Sequence, residues 1–468
     1  MSNTAGAITT VYAAVMAILL CNSHLVNTLG HRHILKVVGH SHLGILMRFN
    51  LPFTAILFVA SAYCTVASCP VPLSRGTVSF STTTHDSALV DLNHDGRLDI
   101  VTAGFQSNNI SIRLAVLPPS PIGTFQLPVS YPVGTSPGSL ASGDFNNDGN
   151  TDVATGNFST PSVSVLLGNS TGTFAPAVDY QVDDDARDIL AHDLNNDGSL
   201  DLVVATRAAG IAILLGNPNG SFESATAVPA PELQSIDVAD FNTDGIIDLV
   251  VGEAMAGRIG VLLGLQGGSF GDFVEYETGL GSVAVAAGDV NGDGRTDAVT
   301  ANYLSNDISV LIANPDGSLQ PRINYLSVSR GPIAISLVDL NSDNRLDVVT
   351  AGFTGNLMSV FRNTGSGAFL TPELFLAGTN PRGVATGDVN NDGTPDISIA
   401  LQSGGVALFL NRFCAADFNC DGTSDFFDYL DFVDRFANND PSADYNVDGI
   451  VDLFDYLDFV QDFQILCP

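Results

Sequence analysis

The sequence contains few basic residues, few cysteines and no tryptophan. Among 468 residues there are 17 lysines and arginines, 50 aspartates and glutamates, and six cysteines. So acidic a surface excludes nucleic acid as a partner, because nucleic-acid binding needs a basic face. So few cysteines mean that the core does not depend on disulfide bonds. Export would permit one bond, and Cys414 and Cys467, which flank the last segment, are the expected pair.

Catalytic motifs are also absent. Beyond residue 68 the only histidines are His85, His94 and His192, and there is no lysine. The patterns Gly-x-Ser-x-Gly and His-Glu-x-x-His and the phosphate-binding loop do not occur. The many aspartates do not indicate acid–base pairs, because most of them occupy fixed positions in a repeat.

That repeat is the nine-residue motif Asp-x-Asn-x-Asp-Gly-x-x-Asp, which first occurs at Asp91–Asp99. Six further copies begin at Asp144, Asp193, Asp240, Asp289, Asp339 and Asp388, at intervals of 47 to 53 residues. A fixed period of this length indicates a repeat architecture in which each repeat is one supersecondary unit.

The motif is typical of a calcium loop. Oxygen side chains at positions 1, 3, 5 and 9 and the carbonyl at position 7 converge on a hard cation when glycine at position 6 lets the backbone turn tightly. The alternative is a polar hairpin turn that holds no ion. The sixth copy has Asn344 in place of glycine, and asparagine also tolerates the left-handed conformation.

The predicted ligands at positions 1, 3, 5, 7 and 9 follow, loop by loop. They are Asp91, Asn93, Asp95, Arg97 and Asp99; Asp144, Asn146, Asp148, Asn150 and Asp152; Asp193, Asn195, Asp197, Ser199 and Asp201; Asp240, Asn242, Asp244, Ile246 and Asp248; Asp289, Asn291, Asp293, Arg295 and Asp297; Asp339, Asn341, Asp343, Arg345 and Asp347; and Asp388, Asn390, Asp392, Thr394 and Asp396.

Each repeat reads as four short strands, because apolar β-branched runs alternate with polar or glycine-rich turns such as 168–174, and helical periodicity is absent. Four strands per repeat describe a β-propeller blade. The motif, a following Leu-Val-Val and a later Gly-x-Gly-x-Phe resemble the FG-GAP or VCBS repeat of integrin α-subunit propellers and of secreted bacterial proteins. The resemblance covers residues 75–411 and implies seven blades with about seven calcium ions. The seventh repeat lacks its outer strand, and we predict that Gly76–Phe80 supplies it.

A different period follows Cys414. Two loops 27 residues apart each carry a further aspartate at position 12, as in EF-hand-type loops, and each runs into a predicted helix. Their predicted ligands are Asp417, Asn419, Asp421, Thr423, Asp425 and Asp428, and Asp444, Asn446, Asp448, Ile450, Asp452 and Asp455. This segment, 414–468, resembles a dockerin domain, which implies two calcium ions and a cohesin-like scaffold partner. Dockerins have small hydroxyl residues at loop positions 10 and 11, where this chain has Phe426-Phe427 and Leu453-Phe454. The alternative is therefore a calcium module that only stabilises or anchors the protein.

The first residues predict export. A basic residue in Met47-Arg48, an apolar stretch and a small-residue segment up to Ser68 are typical of a signal peptide over 47–68. Residues 1–46 are then an upstream over-extension of the reading frame. Val66–Cys69 also resembles a bacterial lipobox, so Cys69 is either a lipid-anchored first residue or lies near an ordinary cleavage site. We expect a secreted, cell-surface or periplasmic protein with no transmembrane span in the mature chain.

One set of residues departs from the repeat. Six residues before the seven loops lie His85, Gly138, Arg187, Gln234, Val283, Ile333 and Arg382. We expect them at the entry of the inner strands, on the face opposite the calcium loops. The predicted ligand-binding residues on that face are His85, Arg187, Arg207, Arg258, Arg330 and Arg382. The alternative is a solvated rim with local salt bridges.

These features predict an all-β seven-bladed propeller followed by a small α-helical dockerin-like or EF-hand-like module. We expect an exported calcium-binding protein that acts as a binding or adhesion module for an extracellular protein or an anionic glycan. The alternative is a carbohydrate-active propeller enzyme, such as a polysaccharide lyase or glycosidase, carried on a dockerin.

Overall fold

The computed structural model describes residues 34–36, 46–48, 73–80, 83–116, 124–253, 256–411, 426–438, 443, 445, 451 and 453–464. The chain divides into two compact units, Met1–Cys69 and Pro70–Pro468. The first contains an antiparallel pair of strands, Ile34–Lys36 and Leu46–Arg48. The predicted cleavage region at 66–69 lies outside the described residues, and the signal peptide and the over-extended start stay predictions.

Among its described residues the second unit contains seven four-stranded antiparallel sheets, which confirms the predicted seven-bladed propeller, and one short two-stranded sheet, Gly264–Leu265 with Ser269–Phe270. The inner strands are Thr84–Val90, Pro137–Gly143, Ala186–His192, Leu233–Ala239, Ser282–Gly288, Pro332–Val338 and Pro381–Gly387. The second strands are Asp99–Gly104, Asp152–Asn157, Asp201–Thr206, Asp248–Glu253, Asp297–Asn302, Asp347–Gly352 and Asp396–Leu401. The third strands are Asn109–Arg113, Ser162–Leu166, Ile211–Leu214, Arg258–Leu262, Asp307–Leu311, Leu357–Phe361 and Val406–Asn411. The outer strands are Val129–Pro132, Val178–Gln181, Thr226–Val228, Val274–Glu277, Ile323–Leu326, Glu373–Leu376 and, for blade 7, Leu73–Val78.

Burial follows the position of each strand in its blade. All six residues of every second strand are buried, whereas the outer strands are largely exposed. The buried apolar clusters join neighbouring blades: Val153 of blade 2 packs with residues of blade 1, and Leu202 of blade 3 packs with residues of blade 2. The core therefore lies between adjacent blades, so that each blade is stabilised by its two neighbours.

The first described strand of this unit closes the ring. Leu73–Val78 pairs antiparallel with Val406–Asn411, with Gly76 opposite Leu408. The Arg75 guanidinium also donates a hydrogen bond of 3.0 Å to the carbonyl of Ala377. The prediction that a segment from the start of the chain completes blade 7 is confirmed, although the strand begins three residues earlier than predicted.

Two helices, Phe426–Ala437 and Leu453–Gln464, lie near the C-terminus. Phe432 and Phe459 are fully buried between them, with stacked rings whose centroids are 4.0 Å apart. Most of the two loops that precede these helices lies outside the described residues. No helix in the described part of the chain is long and apolar enough to cross a membrane.

Candidate functional site

The seven aspartate-rich loops lie between the inner and second strands and share one backbone conformation. Position 6 has a positive φ in all seven, including Gly149 at 83° and Asn344 at 60°. Position 4 also has a positive φ in every loop, as in His94 at 58° and Thr243 at 58°, which the sequence analysis missed. Two left-handed residues per loop curl the chain tightly around the side chains at positions 1, 3 and 5.

Hydrogen bonds within each loop hold this curl. In the first loop, the Asp91 carboxylate accepts the N–H groups of Asp95 at 3.2 Å and Gly96 at 2.8 Å. The Asp95 carboxylate accepts the N–H of Arg97 at 3.0 Å and the side-chain amide of Asn93 at 3.1 Å. The other six loops repeat these bonds, as shown for the second and seventh. Positions 1, 3 and 5 therefore present oxygen atoms around one turn.

The aspartate at position 9 is fully buried in all seven loops. One Asp99 oxygen accepts the N–H of Leu92 at 3.0 Å, and the other accepts the N–H of Ala115 at 2.7 Å. The same two bonds occur in every blade. This carboxylate ties the start of the loop to the end of the third strand, a structural function that the sequence analysis did not foresee.

The electrostatics of these loops fit a bound cation. Burial raises the pKa of Asp99 to about 6, and repulsion from Asp95 and Asp91 raises that pKa further, against two hydrogen bonds that lower it. Burial raises the pKa of Asp396 to about 7, with the same repulsion from its loop partners. Each loop thus brings three mutually repelling carboxylates and an asparagine oxygen together, the hard oxygen donors that calcium prefers.

The carboxylates of the aspartate-rich loops do not converge closely enough to coordinate a metal ion in this structure. Within the described residues, no group of three or more His, Cys, Asp or Glu side chains is close enough to hold a metal ion. In the fifth and sixth loops the position-7 arginine also covers the position-5 carboxylate, as the ion pairs Arg295–Asp293 and Arg345–Asp343 show. Calcium binding therefore stays a prediction.

Only part of the two predicted calcium sites in the C-terminal segment, residues 414–468, lies among the described residues. Of their predicted ligands, Asp428 and Asp455 are described, and both are fully buried in the first turn of a helix. Asp455 accepts the N–H of Tyr445 at 2.7 Å, so position 12 binds position 2 of the same loop. The other predicted tail ligands lie outside the described residues: Asp417, Asn419, Asp421, Thr423, Asp425, Asp444, Asn446, Asp448, Ile450 and Asp452.

The opposite ends of the inner strands form a second feature, which we call the channel mouth. Each inner strand has a β-bulge near its first residues, as between Ala186 and Asp188. A bulge redirects the extra side chain out of the ladder. The bulged residues line a cavity of about 250 Å³; they are His85, Gly138, Arg187, Gln234, Val283, Ile333 and Arg382. The structure thus brings together three of the six predicted ligand-binding residues.

Aromatic rings hold the basic side chains of the channel mouth. The Arg187 guanidinium lies 4.5 Å from the ring centroid of Phe158, and that of Arg382 lies 4.8 Å from the ring centroid of Phe353. His85 stacks on Phe105 with ring centroids 3.7 Å apart. Burial lowers the pKa of His85 to about 3, and the charge of Arg382 adds to this effect. His85 is therefore neutral, whereas cation–π contacts fix both guanidinium groups.

Two half-buried carboxylates also border the cavity. Asp86 accepts the N–H of Leu140 in the next blade at 3.0 Å, and Asp188 likewise accepts the N–H of Ile236 at 3.1 Å. Burial raises the pKa of Asp86 to about 6 and that of Asp188 to about 7, the latter also through repulsion from Asp86 and Asp237. These carboxylates join neighbouring blades and carry less negative charge in mild acid than ordinary aspartates do.

The other three predicted arginines do not line the cavity. Arg207 lies 3.6 Å from Asp185, and Arg258 pairs with Glu253 and Glu275. Arg330 is exposed and adopts a positive φ of 56°. For Arg207 and Arg258, the predicted alternative of local salt bridges describes the structure better than a shared ligand site does.

Sequence reasoning missed the aromatic residues of the channel mouth. Phe105, Phe158 and Phe353 each follow directly after a second strand, and Tyr303 occupies the same position in blade 5. An aromatic residue at one repeat position in four blades was a signal that could have revealed them. Gly138 is also needed, because a Cβ there would lie 2.2 Å from the Phe158 ring.

Comparisons with curated proteins and with solved structures gave the following results. Among curated proteins no match was found. Two crystal structures of BBS1N in complex with ARL6DN, soaked with lead and with mercury, each match with a TM-score of 0.53. Their identities are 12% and 13%, over 73% and 72% of this chain and 96% of the matched chain in both cases. An Agrocybe aegerita lectin that recognises non-reducing terminal N-acetylglucosamine matches with a TM-score of 0.45 and 21% identity, over 69% of this chain and 86% of its own.

The BBS1N likeness shows the fold alone. The family is shown by a sequence profile for the FG-GAP-like repeat, which matches six overlapping segments: 91–155, 144–204, 193–251, 240–300, 289–350 and 339–399. Each segment runs from one aspartate-rich loop past the next, and together they cover more than half of the chain. The chain therefore belongs to the FG-GAP-like repeat family.

Proposed function

We propose that this protein is an exported, calcium-stabilised propeller that binds an extracellular protein or glycan at the channel mouth. The observation that carries the proposal is that the acidic loops and the arginine-lined cavity lie at opposite ends of the inner strands. The seven acidic loops follow the ends of the inner strands, and the arginine-lined cavity lies at their beginnings. A seven-residue strand spans about 20 Å, so a cation on one face can stabilise the ring without occupying the other.

Calcium removal tests the first half of the proposal. Binding to the folded state alone stabilises it by about 2.7 kcal/mol per site when calcium is in hundredfold excess over Kd. Excess EGTA should therefore lower the melting temperature of the full chain sharply. Asp144→Ala should reduce this calcium response, whereas Asp316→Ala, which changes an exposed carboxylate in a turn outside the loops, should leave it intact. A melting curve that ignores EGTA would refute calcium stabilisation.

Binding of a ligand tests the second half. The protein should bind at least one member of an array of extracellular proteins and glycans in the presence of calcium, and lose that binding in EGTA as the ring destabilises. Binding that persists unchanged after EGTA has unfolded the propeller would place the ligand site elsewhere in the chain.

The alternative of a polysaccharide lyase receives less support. A lyase needs a base, and the candidate in the cavity is His85. Its pKa of about 3 makes it a weak base, and its ring is stacked against Phe105 and only 8% exposed. Incubation with acidic polysaccharides should therefore produce no unsaturated-sugar absorbance, and a steady rise in that absorbance would favour the enzyme.

For the tail we propose docking to a cohesin-like partner. The support is a duplicated apolar surface at the start of the two helices, where Phe426, Phe427 and Leu430 correspond to Leu453, Phe454 and Leu457 and all are 45% to 65% exposed. Phe427→Asp with Phe454→Asp should abolish binding to a panel of cohesin modules without changing the helical circular dichroism. If the unaltered chain binds none of them, the tail serves to stabilise or anchor the protein.

A further inference from the structure

The channel mouth contains an unusual concentration of unsatisfied polar atoms. Arg187 Nε, Arg382 Nε, Ser139 Oγ and Ser235 Oγ are buried without a hydrogen-bond partner, and all four residues line the cavity. They make up four of the ten such atoms in the described part of the chain. Buried polar groups in folded proteins nearly always have a partner. Each of these atoms is covered by protein, so a ligand or ordered water in the cavity would supply the missing partner once the side chain rotates slightly toward it.

The chemistry of these atoms selects an acceptor. An arginine Nε–H group can only donate a hydrogen bond, and a serine hydroxyl can donate one. Neither guanidinium is tightly neutralised: Arg382 has no ion pair among the described residues, and Arg187 has one, to Asp185 at 3.7 Å. Because the Phe158 and Phe353 rings hold them in place, they can bind a planar carboxylate without losing much side-chain freedom.

The two acidic residues of the cavity do not block such a ligand. Each oxygen of Asp86 and Asp188 already accepts one backbone N–H. These bonds direct the carboxylates into the joints between neighbouring blades and leave the guanidinium groups as the charged donors of the cavity.

The part of the cavity wall between Gln234 of blade 4 and Arg382 of blade 7 is aliphatic. Blade 5 contributes Val283, Ala284 and Val285, and blade 6 contributes Ile333, Ala334 and Ile335. Gln234 lies between the polar and apolar parts, and its amide can both donate and accept. The volume of about 250 Å³ is below the roughly 300–1,000 Å³ of sites for drug-sized ligands, which suits the end group of a longer ligand.

We infer that the channel mouth binds the C-terminal residue of an extracellular protein when that residue has an aliphatic side chain. Arg187 and Arg382 hold the terminal carboxylate, the hydroxyls of Ser139 and Ser235 complete its hydrogen bonds, and the wall around Val283 and Ile333 packs against the side chain. Gln234 pairs with the last peptide group. An aliphatic wall suits such a side chain better than a sugar ring, which carries hydroxyl groups on its edge. This inference deepens the proposed binding function and rests on it.

The test uses the full chain and a fluorescein-labelled decapeptide that ends in Val-Leu with a free carboxylate. Fluorescence polarisation should show saturable binding that weakens with added salt. The same peptide with a C-terminal amide, and one that ends in Val-Asp, should bind at least about tenfold more weakly. The amide peptide changes only the ligand, so this comparison does not depend on the folding of any variant.

Variants of the protein locate the site. Arg382→Met removes the guanidinium group but keeps an unbranched side chain that can pack against Phe353, and should weaken binding at least about tenfold without changing the melting curve. Arg207→Ala removes an exposed arginine outside the cavity and should change nothing. Equal binding of acid and amide peptides, or equal losses from both variants, would overturn the inference. Binding of an oligogalacturonate with no binding of the peptide would also overturn it, while leaving the proposed binding function standing.

Discussion

At the scale of single residues, the loops depend on backbone conformation as much as on carboxylates. The sequence revealed the glycine of position 6, because only glycine or asparagine occupies it. It did not reveal the left-handed residue at position 4, because His94, Thr243, Gly292 and Ser342 share no obvious side-chain property. Their common feature is a φ between 56° and 77°, which cannot be recognised from residue types that differ so much from loop to loop.

Gly149→Ala isolates this backbone requirement. Its φ is 83° and a Cβ would meet no atom within 4 Å, so any loss comes from conformation alone. We expect a loss of about 1–2 kcal/mol in the free energy of unfolding, measured by urea denaturation in excess calcium. Asn344→Gly is the control, because it relieves the same strain at the equivalent position and should not destabilise the protein. An unaffected Gly149→Ala variant would mean that the loop relaxes.

Asp188→Asn tests the half-buried carboxylate between blades 3 and 4. Its pKa of about 7 in the folded state exceeds the ordinary aspartate value of 3.8, so the folded state binds more protons and loses stability as the pH rises through that range. Asparagine does not titrate, so the variant does not lose stability in this way, although it also has one hydrogen-bond acceptor fewer. With calcium saturating, its melting temperature should lie furthest below that of the unaltered protein near pH 5, and the gap should narrow by pH 8. A constant gap would show that Asp188 does not titrate here.

At the scale of elements, the blades were predictable and the contacts between their loops were not. The repeat period, the turns and the missing outer strand of repeat 7 together determined the number of blades and the closure. The position six residues before each loop also identified the residues of the channel mouth. By contrast, Arg207 and Arg258 pair with residues that the strand register places beside them, and nothing in their local sequence indicates those partners.

Deleting residues 70–80 tests the closure element. Without Leu73–Val78 the third strand Val406–Asn411 becomes an unpaired edge, which invites pairing with other chains. We expect a lower melting temperature and aggregation, measured by calorimetry and light scattering. Arg75→Ala, which removes a single hydrogen bond to Ala377, should have a much smaller effect. A soluble deletion variant of equal stability would show that the segment is only a linker.

At the scale of the whole molecule, the seven inner strands separate the aspartate-rich loops, which follow their last residues, from the cavity at their first residues. Position 9 of every loop anchors the acidic face, and the bulges at the other strand ends assemble a cavity from all seven blades. Because the core lies between blades, loss of one loop should affect its two neighbours first. Whether the acidic face holds cations is therefore the central question about what keeps the ring together.

Counting bound calcium answers that question most directly. The full chain, dialysed against a calcium buffer and assayed by elemental analysis, should hold about seven ions in the propeller and up to two in the tail. Asp144→Ala should lower the count by about one, and Asp316→Ala should leave it unchanged. A chain that folds, resists EGTA and holds no calcium would contradict the account, because the seven loops would then be turns closed by their own hydrogen bonds.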